Sequence, residues 1–171
     1  MSNFSARRIA TIGVVAAIYV VITVAGGNLS YGAIQFRVSE ALMLLCFFNK
    51  DYIVSLTLGC LIANIFSTVG LIDTIVGTSA TLIAGVLMYL FRKEGSTVRM
   101  IICSLFPVIA NAFLVGAELY YVCKLPFWLS AGEVAFGEFV CVTILGVVIF
   151  SLLSKNKAFM KLIMAESKAT V

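Results

Sequence analysis

Five carboxylates stand within or at the ends of long apolar stretches of this chain: Glu40, Asp73, Glu118, Glu133 and Glu138. An ionised group at the centre of a membrane-spanning helix costs about 2.5 to 3.5 kcal/mol, against about 0.3 to 0.6 gained per Leu. Such groups are kept where they hold a cation, carry a proton or pair with a base. Arg37 is the basic residue closest to them, three positions before Glu40, and a helical pair at that spacing would satisfy both. Four carboxylates then remain to hold a proton or await a cation. Other chemistry is thinly supplied. The chain has no His, which removes the usual proton shuttle and leaves any metal site to carboxylates or thiols. Its cysteines, Cys46, Cys60, Cys103, Cys123 and Cys141, are odd in number and lack a C-x-x-C, so they read as small buried hydrophobes. No cofactor or metal is expected.

The elements that must position these acids are membrane helices. Of 171 residues 62% are apolar and 12% charged, where soluble domains are about half apolar and a quarter charged. A crossing takes about 20 helical residues, and cutting the chain at charges, Pro and Gly clusters leaves segments at 9–26, 38–48, 52–69, 73–91, 100–122 and 127–153. The expectation is an all-α membrane protein, a six-transmembrane-helix bundle, with 1–171 as one embedded domain and 154–171 as a basic, solvated cytoplasmic tail. The segment at 38–48 is short for a straight crossing. The Gly-rich stretch 26–32 before it reads as a lid.

Sidedness follows from the bases. With a cytoplasmic amino terminus, every Lys and Arg except Arg37 and Lys124 falls on the inner side, which places both termini in the cytoplasm. The net charge of +4 then reports topology, and no nucleic-acid motif accompanies it. Asp51, Glu94 and Glu166 lie in inner loops or the tail beside Lys or Arg and read as solvated surface. The other five acids converge on the outer leaflet.

Each has a plainer alternative. Asp73 follows Gly70 and opens a helix, so an N-cap explains it as well as a ligand contact does. Glu40 is either a site residue or the partner of Arg37. Glu118 lies seven residues after Asn111, on the same helical face, which favours a pocket wall. Glu133 and Glu138, five apart, are rotated by about 140°, so one faces the pocket and the other meets Arg37 or the rim. Asn64 and Asn111 are strong polar groups inside spans, and either bond between helices or face the ligand. Trp128 belongs to an outer aromatic cluster with Tyr31, Phe36, Tyr120, Tyr121 and Phe127, where a belt explains most members and one or two stack on a flat ligand.

On the first span Ala6, Ala10, Gly13 and Ala17 make a stripe of small residues that lets another helix approach closely. Packing within the chain is one reading, because Gly77, Ala80, Thr81 and Ala84 form a similar stripe. A docking face is the other, favoured by the stripe's start at the cytoplasmic end beside Arg7 and Arg8.

Taken together with Phe36-Arg37-Val38-Ser39-Glu40-Ala41-Leu42, Ala63-Asn64-Ile65-Phe66-Ser67, Pro107-Val108-Ile109-Ala110-Asn111-Ala112 and Gly137-Glu138-Phe139, this layout resembles the substrate-binding S component of an energy-coupling factor transporter. Within that group it resembles the QueT-type queuosine-precursor transporter family, over nearly its whole length. The resemblance implies capture of 7-aminomethyl-7-deazaguanine from outside, at the bacterial plasma membrane. It also implies dependence on a membrane coupling subunit and two cytoplasmic ATPase subunits, with Ala6 and Ala10 matching the family's docking motif. The chain has no G-x-x-x-x-G-K-[ST], so ATP would be hydrolysed elsewhere. A secondary, proton-coupled transporter of organic cations is the competing class, mildly disfavoured because the sequence lacks an obvious inverted repeat. An intramembrane enzyme is weakest, since no nucleophile motif appears.

Overall fold

The computed structural model describes residues 6–31, 35–67, 70–93 and 95–164, and no strand occurs among them. The helices are α1 (Ala6–Ala25), α2 (Val38–Phe48), α3 (Asp51–Asn64), α4 (Leu71–Phe91), α5 (Thr97–Cys123), α6 (Phe127–Leu153) and α7 (Lys157–Met164). A helical turn, Asn28–Tyr31, takes up part of the expected lid, and Gly32 of that stretch lies outside the described residues.

α1, α4, α5 and α6 are long and apolar enough to cross a membrane; α2 and α3 are apolar but shorter. α2 opens as a 3-10 helix, Val38–Leu44, and with its final α-turn spans about 20 Å against roughly 30 Å of hydrocarbon. It is also the most enclosed element, with Met43, Leu44, Cys46 and Phe47 buried. α3 stops at Asn64, short of the expected 69, because the chain turns at Ile65 and Phe66.

Neighbours in sequence pack side by side: α3 against α4, α4 against α5, α5 against α6, while α1 lies on α3. α2 closes the arrangement by packing between α6 and α1. α1 is apolar on all sides but buries only Ala16, Tyr19 and Thr23, three positions on one face. Its contact on α3 is close, since a Cβ at Gly59 would lie 3.0 Å from the Tyr19 Cβ and 3.1 Å from the Ala16 carbonyl oxygen. α5 ends where Lys124 adopts a left-handed conformation, φ 58°, and Pro126 leads into α6.

α6 changes pitch midway. Its first part, Phe127–Glu138, is α-helical, and Phe139–Gly146 is π-helical and faces the 3-10 part of α2. Gly137 sits at that junction, where an added Cβ would meet the Gln35 carbonyl oxygen at 2.4 Å. Backbone cannot rotate out of the way, so Gly137→Ala should destabilise the protein by about 1 to 3 kcal/mol. A thermal melt in detergent should read this as a fall of about 2 to 4 °C per kcal/mol. Gly132→Ala, with nothing within 4 Å of the new Cβ, should leave the melting temperature unchanged or higher; equal falls would remove the close approach as the cause.

The carboxy-terminal segment departs from the expected solvated tail. α7 docks on the bundle by burying Ile163, whose carbonyl accepts from Asn49 Nδ2 at 3.3 Å and from the Tyr52 hydroxyl at 3.4 Å. Its apolar residues lie on one face, which overrides the basic composition. Residues 165–171 lie outside the described residues.

Candidate functional site

Arg37 is where the elements converge. It sits just before α2, in the capping position, and is buried. Its Nε donates to the Ser30 carbonyl at 3.1 Å, and its guanidinium lies 5.7 Å from the centre of the Tyr31 ring. Its ion-pair partner is Asp73, Nη2 to Oδ2 at 3.8 Å. The helical side-chain pair expected between Arg37 and Glu40 does not form: the first turn joins them through the backbone, Glu40 N–H donating to the Arg37 carbonyl at 2.9 Å, while the guanidinium turns to Ser30 and Asp73. Glu40 instead accepts a hydrogen bond from the Tyr19 hydroxyl of α1.

Asp73 is not an N-cap. α4 begins at Leu71 with Gly70 in the capping position, and no side chain caps it. Asp73 is buried within the first turn, and its backbone carbonyl accepts from Asn64 Nδ2 at 3.2 Å, tying α3 to α4. Gly77 makes room for that amide, since a Cβ there would lie 2.4 Å from Asn64 Nδ2.

From the other side α5 and α6 supply Glu118, Asn111 and Glu138, all buried. Glu118 is within electrostatic reach of Asp73 and Arg37. Glu138 is within reach of Glu40 and Arg37 and stands beside Asn111. Seven of the nine residues assigned to the pocket from sequence, Arg37, Glu40, Asn64, Asp73, Asn111, Glu118 and Glu138, therefore share one buried cluster.

The other two do not join it. Glu133 is half-buried, as the 140° rotation from Glu138 requires. Trp128 is 79% exposed and packs edge-on against Phe127, on the outward aromatic surface.

Buried polar groups are ordinarily hydrogen-bonded, yet this cluster holds several without a hydrogen-bond partner: Arg37 Nη2, Glu40 Oε2, Asn64 Oδ1, Asp73 Oδ1, Asn111 Nδ2, both oxygens of Glu118 and Glu138 Oε2. Four carboxylates face one guanidinium. Such an arrangement suits a ligand that is cationic at one end and offers N–H donors elsewhere, since carboxylates accept both, and an adjacent pair of N–H groups bidentately. No set of three His, Cys, Asp or Glu able to hold a metal occurs among the described residues.

Sequence reasoning missed Tyr19. Its signal was available: Tyr19 and Thr23 are polar-tipped residues four apart in the apolar stretch of α1 that follows Thr11, and Thr23 Oγ1 meets Ser39 Oγ at 2.6 Å. Asp51 is a correction in the opposite direction. It is buried and ion-paired with Arg8 rather than solvated, because α3 begins at Asp51 against the start of α1. Glu94 and Glu166 lie outside the described residues.

The small-residue stripe of α1 turns outward. Ala6, Ala10, Gly13 and Ala17 are all exposed, and a Cβ on Gly13 would meet nothing within 4 Å. The corresponding stripe of α4, Gly77, Ala80, Thr81 and Ala84, is buried inside the bundle.

The family model described as QueT transporter matches residues 9–155. Over 81% of the chain and 88% of the relative, the sequence is 40% identical to the protein named "Queuosine precursor transporter QueT" of Lactococcus lactis subsp. cremoris (strain MG1363). No solved structure matches the chain.

Proposed function

This chain belongs to the QueT transporter family, and we propose that it is the substrate-binding S component of an energy-coupling factor importer for a cationic deazaguanine, 7-aminomethyl-7-deazaguanine. It is a multi-pass protein of the cell membrane and a transporter, not an enzyme. The relative's name speaks of a queuosine precursor, and the buried carboxylates favour a cation. That cluster, with Glu40, Asp73, Glu118 and Glu138 around the single base Arg37, is the observation on which the proposal rests.

In this reading the aminomethyl cation takes one carboxylate and the guanine-like N–H edge takes a second, bidentately. The unpartnered oxygens of Glu138 and Glu118 are the acceptors, and Asn111 supplies a donor beside Glu138. The chain crosses the membrane six times with both termini in the cytoplasm. A membrane coupling subunit docks on the outward stripe of α1, and two cytoplasmic ATPases drive release of the ligand inward.

The test compares the amine with its nitrile precursor, which has the same ring and no positive charge. Calorimetry on the purified protein should show the nitrile binding about 10- to 150-fold more weakly, the scale of losing a hydrogen bond to a charged group. Equal binding would sink the cationic reading. Vesicles holding this chain alone should not accumulate the amine under a proton gradient. Accumulation there would favour a proton-coupled carrier of organic cations.

A further inference from the structure

A groove of about 640 Å³ runs along α1, walled by α2, the end of α6 and α7, and none of the clustered carboxylates lines it. Its length is apolar, with Val14, Ile18 and Ile22 of α1 facing Leu42 and Leu45 of α2 and Phe150 of α6. Its polar lining gathers at one end, where Arg7 and Thr11 start α1 and Asn49 and Asp51 join α2 to α3. α7 crosses that end and is anchored there through the Ile163 carbonyl, leaving Lys157 and Lys161 exposed.

We propose that this groove holds one anionic phospholipid, with an acyl chain along α1 and the phosphate at the basic end between Arg7 and α7. The volume lies within the roughly 300 to 1,000 Å³ of ligand clefts. From Arg7 to Ile22 the groove follows α1 for about 22 Å at the helical rise of ~1.5 Å per residue. One leaflet of hydrocarbon is about 15 Å deep, half of a ~30 Å core, so an acyl chain and its glycerol fit that length. The flank is open to lipid, since Val14 is 57% exposed on a helix that buries only three residues.

Charge selects the headgroup. Arg7, Lys157 and Lys161 are exposed at this end, and the one carboxylate lining it, Asp51, is already paired with Arg8. α7 is a short amphipathic helix with a basic outer side, the form that lies in a membrane interface and attracts anionic lipid. A polar metabolite would leave its donors and acceptors unmet along the apolar wall. The proposal goes beyond the import reading and does not depend on the carboxylate cluster.

The full chain would be solubilised with equal amounts of phosphatidylglycerol and phosphatidylcholine of identical acyl chains, and retained lipid counted by native mass spectrometry. One phosphatidylglycerol per chain should be kept, preferred over phosphatidylcholine by about fivefold for each basic residue engaged, since each contributes about 1 kcal/mol near an anionic surface. Arg7→Gln combined with Lys161→Gln should erase the preference, and Val14→Trp should lower retention of both lipids. Thermal melts of the same variants, matching the wild type, report that they are folded. Equal retention of the two lipids by the wild type, or a preference that survives the double substitution, overturns the proposal. So does unchanged retention in Val14→Trp accompanied by loss of a co-purifying membrane subunit, which would make the groove a protein seat.

Discussion

Glu138→Gln is expected to weaken binding of 7-aminomethyl-7-deazaguanine by about 1.5 to 3 kcal/mol, roughly 10- to 150-fold, the range for a hydrogen bond to a charged group. The substitution keeps the shape of the side chain and removes its charge, so the loss reports charge rather than packing. Glu138 is 1% exposed, stands beside Asn111 and has one carboxylate oxygen without a protein partner. It ends the α-helical part of α6 just before the π-helical stretch, a departure from regular helix that often accompanies functional sites.

Glu133→Gln is the internal control. It neutralises a carboxylate of the same helix five residues away, but one that is half-buried and outside the cluster. Its effect should stay within about twofold, the scale of a peripheral substitution. Calorimetry in detergent on both variants decides the matter. Wild-type affinity in both would take α6 out of the pocket, and a larger loss in Glu133→Gln would reverse the two roles.

How far this site could be read from the sequence depends on which physical rule governed each residue. The convergence of Glu40, Asp73, Glu118 and Glu138 was legible because ionisable groups in apolar segments are costly and have to be gathered. The angular separation of Glu133 from Glu138 was legible as well, though not which of them turns inward. Partner assignment failed where it leaned on local helix geometry. Arg37 pairs with Asp73 across the bundle rather than with Glu40 along one helix: the first turn of α2 joins Glu40 to Arg37 through the backbone, and the guanidinium reaches to α4 instead. Trp128 was ambiguous because belt residues and stacking residues share one composition. The 3-10 start of α2 and the π stretch of α6 carry no residue signature; they arise where two helices are pressed together around Gly137 and Gly146.

The largest effect should come from the face of α1 that turns away from Tyr19 and the acids. Ala10→Trp is expected to abolish uptake of the deazaguanine in cells while leaving its affinity for the isolated chain nearly unchanged. Ala10 is exposed at the edge of the groove, and Gly13, one turn on, has open space where a side chain would go, so an indole there has room outside the bundle's packed interior. A helix approaching from outside would meet it, because contacts through small residues bring backbones too close for a large side chain. The residues of α1 that do pack inward, Ala16, Tyr19 and Thr23, lie on another face, and Tyr19 keeps its bond to Glu40. Co-purification with the coupling subunit supplies the third readout: the variant should bind ligand, fold and fail to retain its partner. Loss of ligand binding along with uptake would place the stripe in the bundle's own packing. Uptake at the wild-type rate would remove docking from this face, whatever the carboxylate cluster binds.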